Sequence, residues 1–194
     1  MAKTVRKARM QTPKPAGGTQ GKVRVGLALA LAALVIVGLV VWLTHDDGHS
    51  EKSASGAEVV SADSLQTAAA ERDTPVYWAG ERPGTELELS QEGGDRIYVR
   101  YLTDGADAGD RRPDFLTVGT YGQSNPVATL RRQSRKDGAV LGRAPGNATF
   151  YFNRADPGSV YLAYPGVPVE IEVYDPNFKR ALQLVNSGQI VAVG

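Results

Sequence analysis

The sequence predicts an α+β fold: one transmembrane helix followed by a mostly antiparallel sheet domain with two packed helices. Three observations carry this expectation. An uncharged apolar run occupies residues 25–43. From Pro75 onward, short segments rich in Val, Tyr, Phe and Ile are separated by Gly, Pro, Asp or Asn, which is strand chemistry punctuated by turns. Two stretches, 125–138 and 175–188, lie between helix-starting and helix-stopping residues, and the second also sets apolar residues at helical spacing.

The apolar run comes first. A helix over the 19 residues from Val25 to Leu43 rises about 28 Å, close to the thickness of a bilayer's hydrocarbon core. A helix also satisfies its own backbone hydrogen bonds in lipid. Val25, Leu34 and Leu43 belong to this anchor, and Trp42 stands at its far end, where an indole suits the interface. A cleaved signal peptide is the competing reading. It is disfavoured because such apolar regions usually run about 7–15 residues and end in small residues, whereas here the flank is Trp-Leu-Thr-His-Asp-Asp. Gly26 with Ala30, and Ala28 with Ala32, give the small-residue spacing that lets two spans approach, so a homodimer is the oligomer this segment allows.

Charge sets the orientation. Residues 1–24 hold seven cations and no acid, while 45–74 hold seven acids and two cations. The positive-inside tendency places a basic, disordered tail (1–24) in the cytoplasm and everything after the span (25–43) outside the plasma membrane. The tail's cations face anionic headgroups, and topology accounts for them without nucleic acid as a partner. Residues 44–74 read as an acidic flexible stalk. A short helix near Ser61–Glu71 is weighed against, because its apolar residues are mostly alanine and would bury little. His45 and His49, beside Asp46 and Asp47, read as solvated.

The extracytoplasmic domain is expected over 75–194. Its strand segments are PVYWAG, TELELS, RIYVRYL, DFLTVGTY, ATFYFN, SVYLAYP, VPVEIEVYD and QIVAVG. One register can be derived. Leu87 and Leu89 share a face, as do Ile97, Val99 and Tyr101. Both sets point inward only if Leu89 opposes Val99 and Leu87 opposes Tyr101, which leaves Gly93-Gly94-Asp95 as a three-residue loop. Glu88 then faces Arg100, on the outer side. Asn125 as cap, Pro126 at the first position and Gly138 at the end frame one helix. Asp175 as cap, Pro176, and Phe178, Ala181, Leu182 and Val185 before Gly188 frame the other. The flanking strands of this second helix would be parallel if they were neighbours in one sheet.

Composition narrows the chemistry. The chain has no Cys, and residues 75–194 have no His, which removes disulfides, Ser–His and Cys–His catalysis, and His- or Cys-ligated zinc in that domain. No cofactor and no metal is expected. VGTYGQSNPVATL has the strand–turn–helix setting of a nucleophile elbow, yet Pro126 stands where that pattern requires Gly. Gly122, Ser124 and Asn125 are instead weighed as an anion-binding turn against an ordinary helix cap. Arg131, Arg132, Arg135 and Lys136 gather at the end of the same helix, where cations complement the dipole or contact acidic polymers and headgroups. Asp104, Asp107, Asp110 and Asp114 share a loop without the EF-hand spacing and read as solvated. The pairs Glu86/Glu88 and Glu170/Glu172 are read as charges on an outer sheet face, by strand alternation, rather than as a glycosidase pair. Tyr98 and Tyr161 are candidates for stacking on sugars, against simple packing. Asn147-Ala-Thr149 is a glycosylation sequon.

The segments PVYWAGERPG, YVRYL, LTVGTY and VYLAYPG…EVYDP resemble uncharacterised single-pass envelope proteins of high-GC actinobacteria, over residues 75–194. The resemblance implies a bacterial cell envelope and brings no activity with it. The expected function is a membrane-anchored extracytoplasmic binding or scaffolding module. Its expected partners are the lipid bilayer and either anionic envelope polymers or another envelope protein. A carboxylate-dependent hydrolase, and a signalling element coupling the outer domain to the basic tail, are the alternatives.

Overall fold

The computed structural model describes residues 56–103 and 105–194. The basic tail, the span with Val25, Leu34, Trp42 and Leu43, the stalk up to residue 55, and Asp104 lie outside the described residues. Among the described residues no helix is long and apolar enough to cross a membrane.

The elements in order are β1 (Glu58–Val60), α1 (Ala62–Ala70), β2 (Tyr77–Trp78), β3 (Glu86–Glu92), β4 (Arg96–Leu102), β5 (Thr117–Gly122), α2 (Pro126–Gln133), β6 (Ala139–Ala144), a 3-10 turn (Pro145–Asn147), β7 (Ala148–Asn153), β8 (Ser159–Ala163), β9 (Val169–Tyr174), α3 (Phe178–Asn186) and β10 (Val191–Ala192). Eight strands form one sheet in the order β1-β3-β4-β5-β9-β8-β7-β6, and every neighbouring pair is antiparallel. β10 leaves this sheet and pairs antiparallel with β2, so the crossover after α3 creates no parallel pair with β9.

The β3–β4 hairpin has the derived register: Leu87 opposes Tyr101, Glu88 opposes Arg100, and Leu89 opposes Val99. Gly93 and Gly94 take φ of +54° and +82°, a conformation side chains resist. The apolar sets of β3, β4, β5, β7, β8 and β9 line one face, the core face. There they meet Leu65 and Ala69 of α1, the β2 segment, Ala181, Leu184 and Val185 of α3, and Ile190.

Two corrections follow. The stalk does not continue to residue 74, because β1 pairs with β3 and α1 packs into the core. Ser61 caps α1 by accepting from the Ser64 amide, and Leu65 is 0% exposed, a burial that contributes about 2 kcal/mol. Leu65 anchors this helix in the core, Ala69 is buried beside it, and Ala62 and Ala68 pack partly against the same cluster. The described domain therefore carries three helices rather than two.

The second correction concerns the other sheet face, which is covered as well. α2 lies on β7 and β8 there, with Leu130 against Tyr151, Tyr161 and Ala163. The loop 105–116 closes over β3 and β4 through Gly109 and Asp110. Glu88 and Arg100 meet at 2.9 Å as derived, but their side chains are 1% and 3% exposed. Arg100 also donates to the carbonyl of Asp110, Glu88 accepts the Gly109 amide, and the guanidinium lies 4.9 Å from the centre of the buried Phe115 ring. A buried ion pair is tolerable only when its remaining groups are satisfied in this way. Two of the loop's acids are engaged locally: Asp110 accepts from Arg112, which holds its carboxyl below the usual carboxylate range, and Asp114 stands 3.9 Å from Arg112. Among the described residues no group of three or more acids or histidines could hold a metal.

Candidate functional site

A cleft of about 410 Å³ opens where α2 begins, beside the β6–β7 turn and the β8–β9 connection. Its polar lining is Ser124, Asn125, Arg131, Arg143, Asn147 and Thr149. Proline, valine and alanine residues and Tyr164 supply the rest, and the lining contains no acid.

Each side chain is held there by a local reason. Pro126 opens α2 with its fixed φ, and Asn125 occupies the N-cap position without a side-chain cap bond, so its amide is not consumed by the helix. This differs from the expected cap. Asn147 adopts a left-handed φ of 60°, which asparagine tolerates, and its Oδ1 accepts from Arg143 at 2.6 Å. That bond aims the Arg143 guanidinium from the end of β6. Tyr164 is fixed by stacking on Tyr77, with centroids 5.5 Å apart, and by donating to the Ile190 carbonyl.

The fold sorts the sequence-predicted residues. Ser124, Asn125 and Arg131 meet in the cleft. Gly122 ends β5 and lines a different depression near Asp95. Arg132 turns to donate to the Thr129 hydroxyl at 2.8 Å. Arg135 and Lys136 are exposed beyond the end of α2 and do not line the cleft. The four cations are therefore one contributor and three neighbours rather than a single patch. Arg143 is not marked by the sequence, and Asn147 is marked only as a sequon, because the segment AVLGRAPGN gives no helix or strand period and its place in the cleft depends on a turn that meets α2. At the second helix, Asn177 rather than Asp175 is the cap. Asp175 instead accepts from the Asn177 amide and from Arg180.

Cleft chemistry follows from the lining. Two guanidiniums, amides and hydroxyls can hold an anionic group through charge-assisted hydrogen bonds. Ser124 has no carboxylate, imidazole or amine beside it in the lining, so nothing there accepts its proton, and general-base activation is absent from this cleft.

Below α2 lies a second polar arrangement, and it reverses an expectation. Glu170 and Glu172, expected on an outer face, are 4% and 3% exposed. Alternation puts them on one face correctly, but α2 covers that face. Glu172 accepts from Tyr121 at 2.5 Å and Tyr161 at 3.2 Å. Tyr121 reaches it by lying back over Gly119, where an added Cβ would stand 2.5 Å from the phenol oxygen. Tyr98 meets Tyr121 edge-to-face and, like Tyr161, is buried rather than presented to a sugar. Glu170 Oε2 and Gln133 Oε1 are buried without a hydrogen-bond partner. Burial, and secondarily the Glu172 charge, lift the Glu170 carboxyl from its ordinary 4.5 to about 7. Burial also raises Glu172, against the lowering effect of its hydroxyl donors. Burial pushes Tyr98 up to about 12 and raises Tyr121 and Tyr161, so these phenols stay protonated as donors. Neither glutamate lines the cleft.

Comparison of the chain with known protein families, curated proteins and solved structures finds no match.

Proposed function

We propose that this protein is a binding module of a bacterial cell envelope, anchored by residues 25–43 with its C-terminal domain outside the plasma membrane, and that it captures an anionic group of an envelope polymer or protein. The single observation supporting this reading is the cleft at the start of α2, which presents Arg131 and Arg143 with no acid in its lining. Binding rather than hydrolysis is favoured because the cleft offers donors and cations but no proton acceptor. The inward pair Glu170/Glu172 sits beneath a helix and apart from it.

The test is in-cell crosslinking and capture with the full-length chain, comparing Arg131→Ala/Arg143→Ala with Arg135→Ala/Lys136→Ala. Loss of capture in the first variant and retention in the second is expected. Equal capture by both variants would remove the cleft from consideration. Protease added to intact cells checks the topology: the C-terminal domain should be degraded, and its survival would overturn the placement.

A further inference from the structure

We propose that β6 accepts an extended acidic peptide of a partner as an additional strand, with a carboxylate of that peptide seated in the cleft against Arg143 and Arg131. This rests on the cleft reading above and names its partner class.

The observations are those of an edge strand without a second strand partner. Among the described residues β6 pairs with β7 on one side and with no strand on the other. Edge strands are commonly blunted by shortness, charge, proline or a bulge. The opposite edge follows that rule, since β1 has three residues and begins with Glu58. β6 is longer: it has six residues, its pairing from Ala139↔Asn153 to Ala144↔Ala148 is continuous, and α2 and α3 pack against it without replacing a strand partner. Its only charge is Arg143, and Leu141 is 42% exposed. The strand is also held in place. Gly142 admits the Phe150 ring, which would come within 2.3 Å of a Cβ there, so that ring braces the edge from the core face.

The occupant follows from charge. Arg143 stands near the cleft end of β6, and Arg131 faces it from α2. Arg132 lies on the same helix, and Arg135 and Lys136 follow its end ahead of Asp137, so the surroundings of Arg131 are net positive. A second copy pairing β6 with β6 would bring two such cationic helices to one interface, which like-charge repulsion opposes. An acidic extended peptide meets the opposite field. Main-chain hydrogen bonds would supply its affinity and the arginines its choice of carboxylate, the usual division in strand addition.

The probe is a short blocked peptide of alternating Thr and Val with one terminal Glu, titrated against the full-length protein in detergent. Readouts are fluorescence anisotropy and amide hydrogen exchange across 139–144. Saturable binding with new protection of β6 amides is expected. Replacing the Glu by Gln, or using Arg131→Ala/Arg143→Ala protein, should weaken binding about tenfold, equivalent to about 1.4 kcal/mol. N-methylation of alternate peptide amides, which leaves the protein untouched, should weaken it at least as much. Binding that needs the Glu and the arginines but ignores N-methylation would overturn strand addition while leaving the cleft reading intact. Absence of binding overturns the proposal. So does self-association that Leu141→Lys abolishes without any peptide effect, since the occupant would then be a second copy.

Discussion

Glu170→Gln should make the folded domain more stable at alkaline pH and remove the share of its pH dependence that the Glu170 carboxyl carries. Glu170 is 4% exposed, and its carboxyl titrates at about 7 in the fold against an ordinary 4.5. A raised acid pKa means that the folded state holds its proton more tightly than the unfolded chain does. The associated stability is complete below about pH 4.5 and is lost as pH rises through about 7. The difference of roughly 2.5 units corresponds to about 3 kcal/mol, the cost of ionising a buried carboxylate beside Glu172 with one oxygen unpartnered. The neutral amide fills the same volume and never ionises. Thermal and urea denaturation of both proteins between pH 5 and pH 8 reads the effect. Near pH 5 they should already differ by about 1 kcal/mol, the Glu170 carboxyl having begun to ionise in the unfolded chain. At pH 8 the variant should gain up to about 3 kcal/mol, of order 10 °C in midpoint for a domain of this size. A wild-type curve flat across this range, or a variant that keeps the same slope, would refute the reasoning.

Three further outcomes follow from the packing. Glu88→Gln leaves Arg100 buried beside an uncharged partner and should cost about 3–5 kcal/mol by denaturation; in a double-mutant cycle with Arg100→Met the two losses should fall well short of adding. Leu65→Ala should cost about 2–5 kcal/mol in urea unfolding, because its side chain is fully buried between α1 and the sheet; a neutral result would return 58–70 to the stalk. Gly119→Ala should displace the Tyr121 ring and destabilise by about 1–3 kcal/mol, with Tyr121→Phe in the same background restoring little; unchanged near-ultraviolet circular dichroism would count against the contact.

The legible parts of this chain are those in which neighbouring residues constrain one another. The β3–β4 register could be worked out because strand alternation has period two, and a one-residue slip would turn Leu87 and Leu89 outward. Eight of the ten strands stand on segments bounded by turn residues. The two missed, β1 and β6, are three residues long or carry a mid-strand glycine, and both lie at sheet edges, where burial imposes little pattern. α1 carries one large apolar residue, Leu65, and a single side chain makes no periodic pattern, so its burial shows only in the fold.

The site divides along the same line. Adjacent residues announced Ser124, Asn125 and the α2 cations, since caps and charge runs are local. That Arg143 and Asn147 complete a cleft with Arg131 depends on a turn meeting a helix from another part of the chain. Alternation tied Glu170 to Glu172, and Glu88 to Arg100, on a common face. Whether that face met water was set by α2 and the loop 105–116 folding over it, contacts between distant segments that a local repeat does not encode.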